Sequence, residues 1–175
     1  MRVLVFIFLT TLLACSDKNT EESINKDILG FYQIESFNST DVADLNDDGI
    51  SSHDFKNELS DFPYSSIQLR IIELPKHDPF DLGFTIQLPY PNELVDKPYG
   101  HLQYNHYAIP IRLYYQNGEL GFGENEITFE DKIIFESFEI VDQSKIQAHL
   151  KMKLYDFTEL VWKNYNCEII YTKIE

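Results

Sequence analysis

The chain has 175 residues, enough for one domain of ordinary size with a substantial hydrophobic core. It carries 14 Lys and Arg against 29 Asp and Glu, a formal net charge of -15, and phosphate binding needs a basic face, so nucleic acid is a poor partner. Hydrophobic residues make up 43% of the chain, which argues against disorder throughout, and two cysteines are too few for a disulfide scaffold.

The first fifteen residues predict secretion and attachment to a membrane. An apolar run over residues 3–13 follows Met1 and Arg2. It is shorter than the roughly 20 residues that span a bilayer, and it has the character of a secretory signal peptide. The run ends Leu12-Leu13-Ala14-Cys15, which resembles the lipobox of bacterial lipoproteins. An ordinary signal peptide with a cysteine near its cleavage site is the alternative.

The lipobox resemblance implies cleavage before Cys15, a diacylglyceryl thioether on its sulfur and an acyl chain such as palmitate on its amine. It implies a bacterial cell-envelope protein anchored by lipid, with the outer membrane as the expected location, on its periplasmic or surface face. We therefore expect residues 1–14 to be a signal peptide, 15–27 a lipidated cysteine and flexible tether, and 28–175 the folded domain. With Cys15 capped, Cys167 is the one free thiol, and its apolar strand pattern predicts a buried structural role.

From Leu29 onward apolar residues alternate with polar ones, the pattern of half-buried strands. Asn117-Gly118 predicts a tight hairpin, Asp142-Gln143-Ser144 joins another pair of strands, and Pro110 indicates a sheet edge or bulge. The prediction is an all-β fold, an antiparallel up-and-down meander closing into a barrel, with one short helix after an Asp-rich loop. The expected strands cover residues 31–37, 67–71, 84–88, 107–115, 132–141, 146–154, 157–164 and 167–174.

The start of the meander, Gly30-Phe31-Tyr32, resembles the lipocalin-like domains of bacterial lipoproteins. Lipocalins carry Gly-x-Trp on the first strand and an Arg on the last. Here Tyr32 stands in place of the Trp, and the nearest base on the last strand is Lys173. The resemblance implies a lipocalin-like barrel over residues 28–175 and bears more on the fold than on the function.

Residues 44–54 read Asp44-Leu45-Asn46-Asp47-Asp48-Gly49-Ile50-Ser51-Ser52-His53-Asp54. They resemble the start of a calcium loop of the EF-hand and dockerin type. Side-chain oxygens at alternate positions converge on one point, glycine permits the sharp turn, and a backbone carbonyl adds a ligand. The resemblance implies that calcium is held by Asp44, Asn46, Asp48 and the carbonyl of Ile50. Plain turn chemistry is the alternative.

The end of this loop departs from the EF-hand pattern. Phe55 stands where the bidentate Glu belongs, and Asp54, one position earlier, is the expected closing carboxylate of a shortened loop. Ser52 would contribute directly or through water. Ser51 and Asp54 form a capping box for one or two helical turns that bury Phe55 and Leu59. Residues 41–61 hold seven acids and one Lys, so a cation there would pin an otherwise self-repelling connection.

The sequence contains no nucleophile elbow and no phosphate-binding glycine loop, so we expect no enzyme activity. Tyr90, Tyr104 and Tyr107 are the expected surface for a ligand, although aromatic residues also pack well on strands. The expected function is a membrane-anchored, non-enzymatic module that binds a small apolar molecule, a sugar or a partner protein and is stabilised by calcium. A structural or protein-interaction module with a side-chain-filled barrel is the alternative, and an envelope hydrolase is the third possibility.

Overall fold

A computed structural model describes residues 24–59, 62–64, 66–94, 102–123 and 127–174, with the backbone alone for 90–94 and 102–107. Cys15 and most of the expected tether lie outside the described residues. Within these ranges the chain forms ten strands, one helical turn α1 (Phe55–Glu58) and a 3-10 turn (Lys26–Ile28). The strands are β1 (Gly30–Ala43), β2 (Ser52–Asp54), β3 (Leu69–Glu73), β4 (Leu82–Leu94), β5 (Leu102–Gln116), β6 (Glu119–Gly121), β7 (Ile127–Phe129), β8 (Ile133–Asp142), β9 (Lys145–Asp156) and β10 (Val161–Ile174).

The strands form one curled antiparallel sheet in the order β6-β5-β4-β3-β1-β10-β9-β8-β7, with the short β2 paired to β1 beside this path. Strands that are neighbours in this order are hydrogen-bonded to each other. Because β1 pairs with β10, the first and last strands lie side by side in the middle of the sheet. The path ends at β6 and β7, and the sheet curls into a half-barrel. The predicted all-β meander with one short helix after the Asp-rich loop is confirmed.

Local turn chemistry accounts for the connections. Asn117 and Gly118 both have positive φ, 52° and 82°, as a two-residue hairpin between β5 and β6 requires. Pro110 lies opposite Thr85 of β4 and beyond the reach of β6, so its other side faces no described strand. The predicted edge position of Pro110 is therefore confirmed, because proline has no N–H to donate to a further strand.

The last part of the chain differs from its prediction. Two strands were expected over 157–164 and 167–174, and the structure has the single long strand β10, with a turn at 157–160. The reason is that Tyr165 and Cys167 are buried while Asn164 and Asn166 face outward, so the alternation of inward and outward side chains continues without a break.

The 3-10 turn before β1 packs against the sheet, with Ile28 buried in the core. The Tyr32 ring is buried, and its hydroxyl donates to the Ile28 carbonyl at 2.7 Å. Burial, with a smaller contribution from Asp142, raises the pKa of Tyr32 to about 12. Lys173 lies opposite Tyr32 in the register, and its ammonium donates to the Asp27 carbonyl. Tyr32 and Lys173 thus tie the first and last strands to the turn beneath them.

The inner face of the sheet is filled by its own side chains. Alternate residues of β9 are buried along the whole strand. Phe138 of β8 packs against Phe84 of β4 with ring centroids 5.2 Å apart, and against Phe135 and Phe122 at 5.6 and 5.8 Å. These four rings, called here the interior ring cluster, join strands from the two halves of the sheet across the interior.

Candidate functional site

The Asp-rich connection between β1 and β2 lies at the end of β1 that is farther from the 3-10 turn. Asp44 is 1% exposed, and its two carboxylate oxygens accept from the backbone N–H groups of Asp48 at 3.3 Å and Gly49 at 3.0 Å. Asp47 and Gly49 have φ of 62° and 81°, which produces the sharp turn expected at Gly49. The backbone of residues 47–49 thus turns around the Asp44 carboxylate.

The next two expected ligands lie beside Asp44. The Asn46 side-chain oxygen accepts from the Asp48 N–H at 3.0 Å, and the Asn46 amide nitrogen donates to Asp48 Oδ2 at 3.1 Å. Asp48 Oδ1 accepts from the Ile50 N–H at 2.7 Å. The structure thus brings Asp44, Asn46 and Asp48 together at one turn, with their oxygens directed at backbone N–H groups of that turn.

Asp54, the expected closing carboxylate, lies at the start of α1. Its Oδ1 accepts from the Asn57 N–H at 3.2 Å and its Oδ2 accepts from the Asn57 side-chain amide at 2.7 Å. Asp54 is therefore the N-cap of α1. The prediction that Ser51 caps this helix is wrong, because Ser52 and Asp54 pair with β1 as strand β2 and the helix begins at Phe55.

Sequence reasoning missed Glu58, a buried carboxylate against this loop. Glu58 is 6% exposed, and its Oε2 accepts from the Leu45 N–H at 3.0 Å. Burial raises the pKa of Glu58, and the nearby acids Asp48, Asp44 and Asp54 add to that rise. The available signal was helical spacing, because the buried Phe55 and Leu59 flank Glu58 on the inward side of the same turn.

Contacts with the sheet hold α1 against the loop. The Phe55 ring packs edge-on against Phe37 of β1 at 5.8 Å and against Tyr165 of β10 at 5.3 Å. The Lys56 ammonium donates to the carbonyls of Ile34 at 3.0 Å and Glu35 at 2.8 Å. The one Lys of the Asp-rich segment is thus turned toward the β1 backbone.

The β9–β10 turn supports the other side of the loop. Phe157 N–H donates to the Asp44 carbonyl at 2.8 Å. The Thr158 hydroxyl lies 3.5 Å from both Asp44 Oδ2 and the Ser51 hydroxyl. The loop is therefore clamped between α1 and this turn, and a change at the loop is expected to affect the stability of both.

The donor set of the loop consists of carboxylate, amide and carbonyl oxygens, which suit a hard cation such as calcium. In the arrangement described, no three His, Cys, Asp or Glu side chains within the described ranges are already placed to hold a metal ion. The residues fit calcium in type and order. The loop oxygens would have to exchange their N–H partners for the ion.

The other sequence-predicted site residues are Tyr90, Tyr104, Tyr107 and Cys15. In the backbone register Tyr90 lies opposite Asn105, Tyr104 opposite Pro91, and Tyr107 opposite Leu88, so the three tyrosines share the β4–β5 ladder. Their side chains, like the whole of Cys15, lie outside what the structure describes. Cys167 is buried as predicted, and burial raises the pKa of its thiol to about 12.

Open depressions mark the outer surface. One of about 430 Å³ is lined by Glu35, Lys56 and Lys145, among others, and there Lys145 pairs with Glu35 at 2.8 Å. The hydrogen bonds of Glu35 to Lys145 and Thr172 lower the pKa of its carboxyl. Another, of about 380 Å³, crosses β1, β10, β9 and β8 and is lined largely by polar side chains, Asn38, Glu136, His149, Asn166 and Glu168 among them.

Of the helices in the described ranges, none has the length and apolar character needed to cross a membrane. Comparisons of the chain with protein-family models, with curated proteins and with solved structures gave no match.

Proposed function

We propose that this protein is a lipid-anchored, non-enzymatic protein of the bacterial cell envelope whose calcium-stabilised β-domain serves as a structural or protein-interaction module. The observation that carries the proposal is the interior ring cluster. In an up-and-down barrel that carries a small molecule, the ligand occupies the interior. Here that space holds Phe138 in contact with both Phe84 and Phe135.

The packing of the interior supports a module that works through its surface. Phe84, Phe135 and Phe138 are 1%, 0% and 3% exposed, and the inward side chains of β9 and β10 are buried around them. Side chains packed in this way occupy the part of the interior that these described residues line. The chain has 29 Asp and Glu against 14 Lys and Arg, so its surface would bind a partner protein through electrostatic complementarity.

Calcium is part of the proposal because of the order and arrangement of its oxygens. Asp44, Asn46 and Asp48 share one turn with Gly49 at positive φ, as the EF-hand spacing requires. Calcium is abundant outside the cytoplasm, so a site there would stay occupied. The ion would hold the β1–β2 connection in place and would not act as a signal. Calcium is expected to raise the melting temperature relative to EGTA, and Asp48→Ala is expected to abolish that shift. An unchanged melting curve in the parent protein contradicts this part of the proposal.

The anchor rests on the sequence, in which a mostly polar stretch over residues 16–27 separates Cys15 from the domain. The lipocalin-like resemblance gains support from Tyr32 and Lys173, which occupy facing positions on the first and last strands. Cys15→Ser is expected to move the protein from the membrane fraction to the soluble fraction, and retention in the membrane fraction contradicts lipidation.

The choice between interaction module and carrier is tested by native mass spectrometry of the protein released from detergent micelles. A mass equal to that of the lipidated chain with calcium supports the interaction module. A reproducible additional mass that disappears on denaturation identifies a carried small molecule and contradicts it.

A sugar-binding function is the second candidate, and the polar outer depression of about 380 Å³ favours it. Its amide, imidazole and carboxylate groups hydrogen-bond to hydroxyls, and the Gln147 amide already holds Glu168 at 2.8 Å. Glycan-array binding that is lost in Glu168→Ala and kept in His77→Ala, a control on the exposed β3–β4 connection outside the depression, would support this function. An array without binding excludes it for the glycans tested.

A further inference from the structure

Exposed apolar side chains lie at the end of the sheet that carries the Asp-rich loop. Ile50 of the loop is 68% exposed, and Leu160 of the β9–β10 turn is 66% exposed. They are the two most exposed large hydrophobic side chains within the described ranges, and Val161, next to Leu160, is 41% exposed. Ile50, Leu160 and Val161 are called here the loop-end patch.

Contacts between the loop and the turn bring the parts of the patch to the same end of the sheet. The hydroxyl of Ser51, next to Ile50, lies 3.5 Å from the hydroxyl of Thr158, two residues before Leu160. A backbone N–H of the turn also donates to the Asp44 carbonyl at 2.8 Å. Single exposed apolar residues are common on any surface, whereas neighbouring ones mark interaction sites.

The backbone at Leu160 holds this side chain outward. Leu160 has a φ of 60°, in the left-handed region that glycine and asparagine adopt readily and a bulky residue rarely does. Buried Asp156 fixes the turn, because its Oδ1 accepts from the N–H groups of Thr158 at 3.0 Å and Glu159 at 3.2 Å. A leucine that is exposed in an unfavourable conformation serves neither the turn nor the core, and such outliers concentrate at functional sites.

The charges at this end indicate the kind of partner. Every charged residue of segments 44–51 and 157–160 is acidic, and of these Asp47, Asp48 and Glu159 are exposed. The nearby base Lys163 pairs with Glu159. The four acids of the two segments also outnumber the two positive charges of a calcium ion. Such a rim attracts a basic protein surface, and it repels an anionic bilayer and a second copy of itself.

The direction of β1 also favours a protein over the membrane. The 3-10 turn precedes β1 and the loop follows it, and the 14 residues of the strand at about 3.3 Å each separate the two by up to roughly 45 Å. The proposed anchor at Cys15 joins the domain on the side of the 3-10 turn. The loop-end patch therefore lies at the end of the domain remote from the anchor.

We propose that the loop-end patch is the docking surface for a partner protein that presents apolar side chains flanked by Lys or Arg. This inference rests on the proposed interaction module and names the surface and the chemistry of its partner. Ile50 and Leu160 would insert between apolar side chains of the partner, and the acids around them would face its basic groups. The apolar contacts then supply most of the affinity, while the charges make the association dependent on salt.

The test begins with photo-crosslinking of the full-length protein in its native cells, with p-benzoylphenylalanine in place of Leu160. Val141 is the matched control position, because it is 52% exposed beside an acid, Asp142, at the opposite end of the sheet. A protein that cross-links from position 160 and not from 141 is identified by mass spectrometry and purified. Its affinity for the parent protein in phosphatidylcholine nanodiscs is then measured by interferometry at low and high salt, and is expected to fall with salt.

Variants then separate docking from folding. Leu160→Asn is expected to weaken the affinity by about fivefold or more, because an apolar anchor is lost, while the melting temperature stays the same or rises, because asparagine tolerates the positive φ. Ile50→Ser is expected to weaken the affinity to a similar extent. Val141→Ser is expected to change it by less than about twofold.

The other outcomes overturn the proposal. A cross-link from position 160 to lipid assigns the patch to the membrane, and one to a second copy assigns it to self-association. No product beyond that seen from position 141 removes the docking surface, as does an identified partner that binds Leu160→Asn and Ile50→Ser as tightly as the parent. A partner whose binding does not weaken with salt overturns the basic chemistry. None of these results alters the interaction module itself, which fails separately if native mass spectrometry finds a carried small molecule.

Discussion

The filling of the interior can be measured by truncating Phe138, which lies at the centre of the interior ring cluster. Phe138 is 3% exposed, so Phe138→Ala removes nearly a whole buried ring. The lost transfer free energy is about 2–3 kcal/mol. The three ring contacts, with centroids 5.2 to 5.8 Å apart, each add roughly 0.5 kcal/mol. The sum is about 4 kcal/mol, within the range of about 3–5 kcal/mol for buried Phe→Ala changes.

The assay is urea unfolding followed by the fluorescence of Trp162, the one Trp of the chain. The midpoint is expected to fall sharply while the m-value stays unchanged, because the truncation changes stability and not the surface exposed on unfolding. Phe31→Ala is the matched control, since Phe31 is 44% exposed, and it is expected to cost less than about 1 kcal/mol. A loss below about 1 kcal/mol for Phe138→Ala would refute the filled interior.

Three further predictions concern single residues. Burial raises the pKa of the Cys167 thiol to about 12, so this thiol is expected to resist alkylation by iodoacetamide at pH 8 in the native protein and to react after denaturation. The same shift is expected to lower the free energy of unfolding as pH rises from 9 toward about 12. Tyr165→Phe removes the donor to Asp156 Oδ2 at 3.0 Å and is expected to cost about 1–3 kcal/mol in urea unfolding, since it leaves a buried carboxylate short of one partner. Gly118→Ala is expected to cost about 1 kcal/mol in the same assay through φ alone, because an added Cβ there meets no atom within 4 Å.

Much of the sheet was predictable because its signals are local. Alternation along β9 assigns each side chain to a face without reference to other strands, and Asn117-Gly118 encodes its hairpin in two residues. The single strand β10 was not predicted, because Asn164 and Asn166 resemble turn residues until their outward direction is known. Their direction depends on pairing with Lys153 and Lys151 of β9, which is a tertiary fact.

The candidate site divides in the same way. Asp44, Asn46, Asp48 and Gly49 fall within six residues, and their contacts with one another follow from spacing and turn geometry. The cap of α1 was predicted at Ser51 and lies at Asp54, because pairing of Ser52 and Asp54 with β1 delays the start of the helix. Glu58 is buried on the helix that follows and accepts from the Leu45 N–H, and the loop residues alone do not indicate this contact.

The sequence by itself determined the elements that depend on neighbours along the chain, which are alternating strands, tight turns, a helical turn and an Asp-rich loop. The lipid anchor at Cys15 stays a prediction. Only the tertiary structure decided which carboxylate faces the loop, how β1 joins β10, and that the interior is filled by Phe84, Phe135 and Phe138. The physical reason is that the two kinds of feature depend on interactions over different sequence separations. Backbone conformation responds to the nearest residues, whereas burial and charge crowding depend on residues that folding brings together from distant parts of the chain.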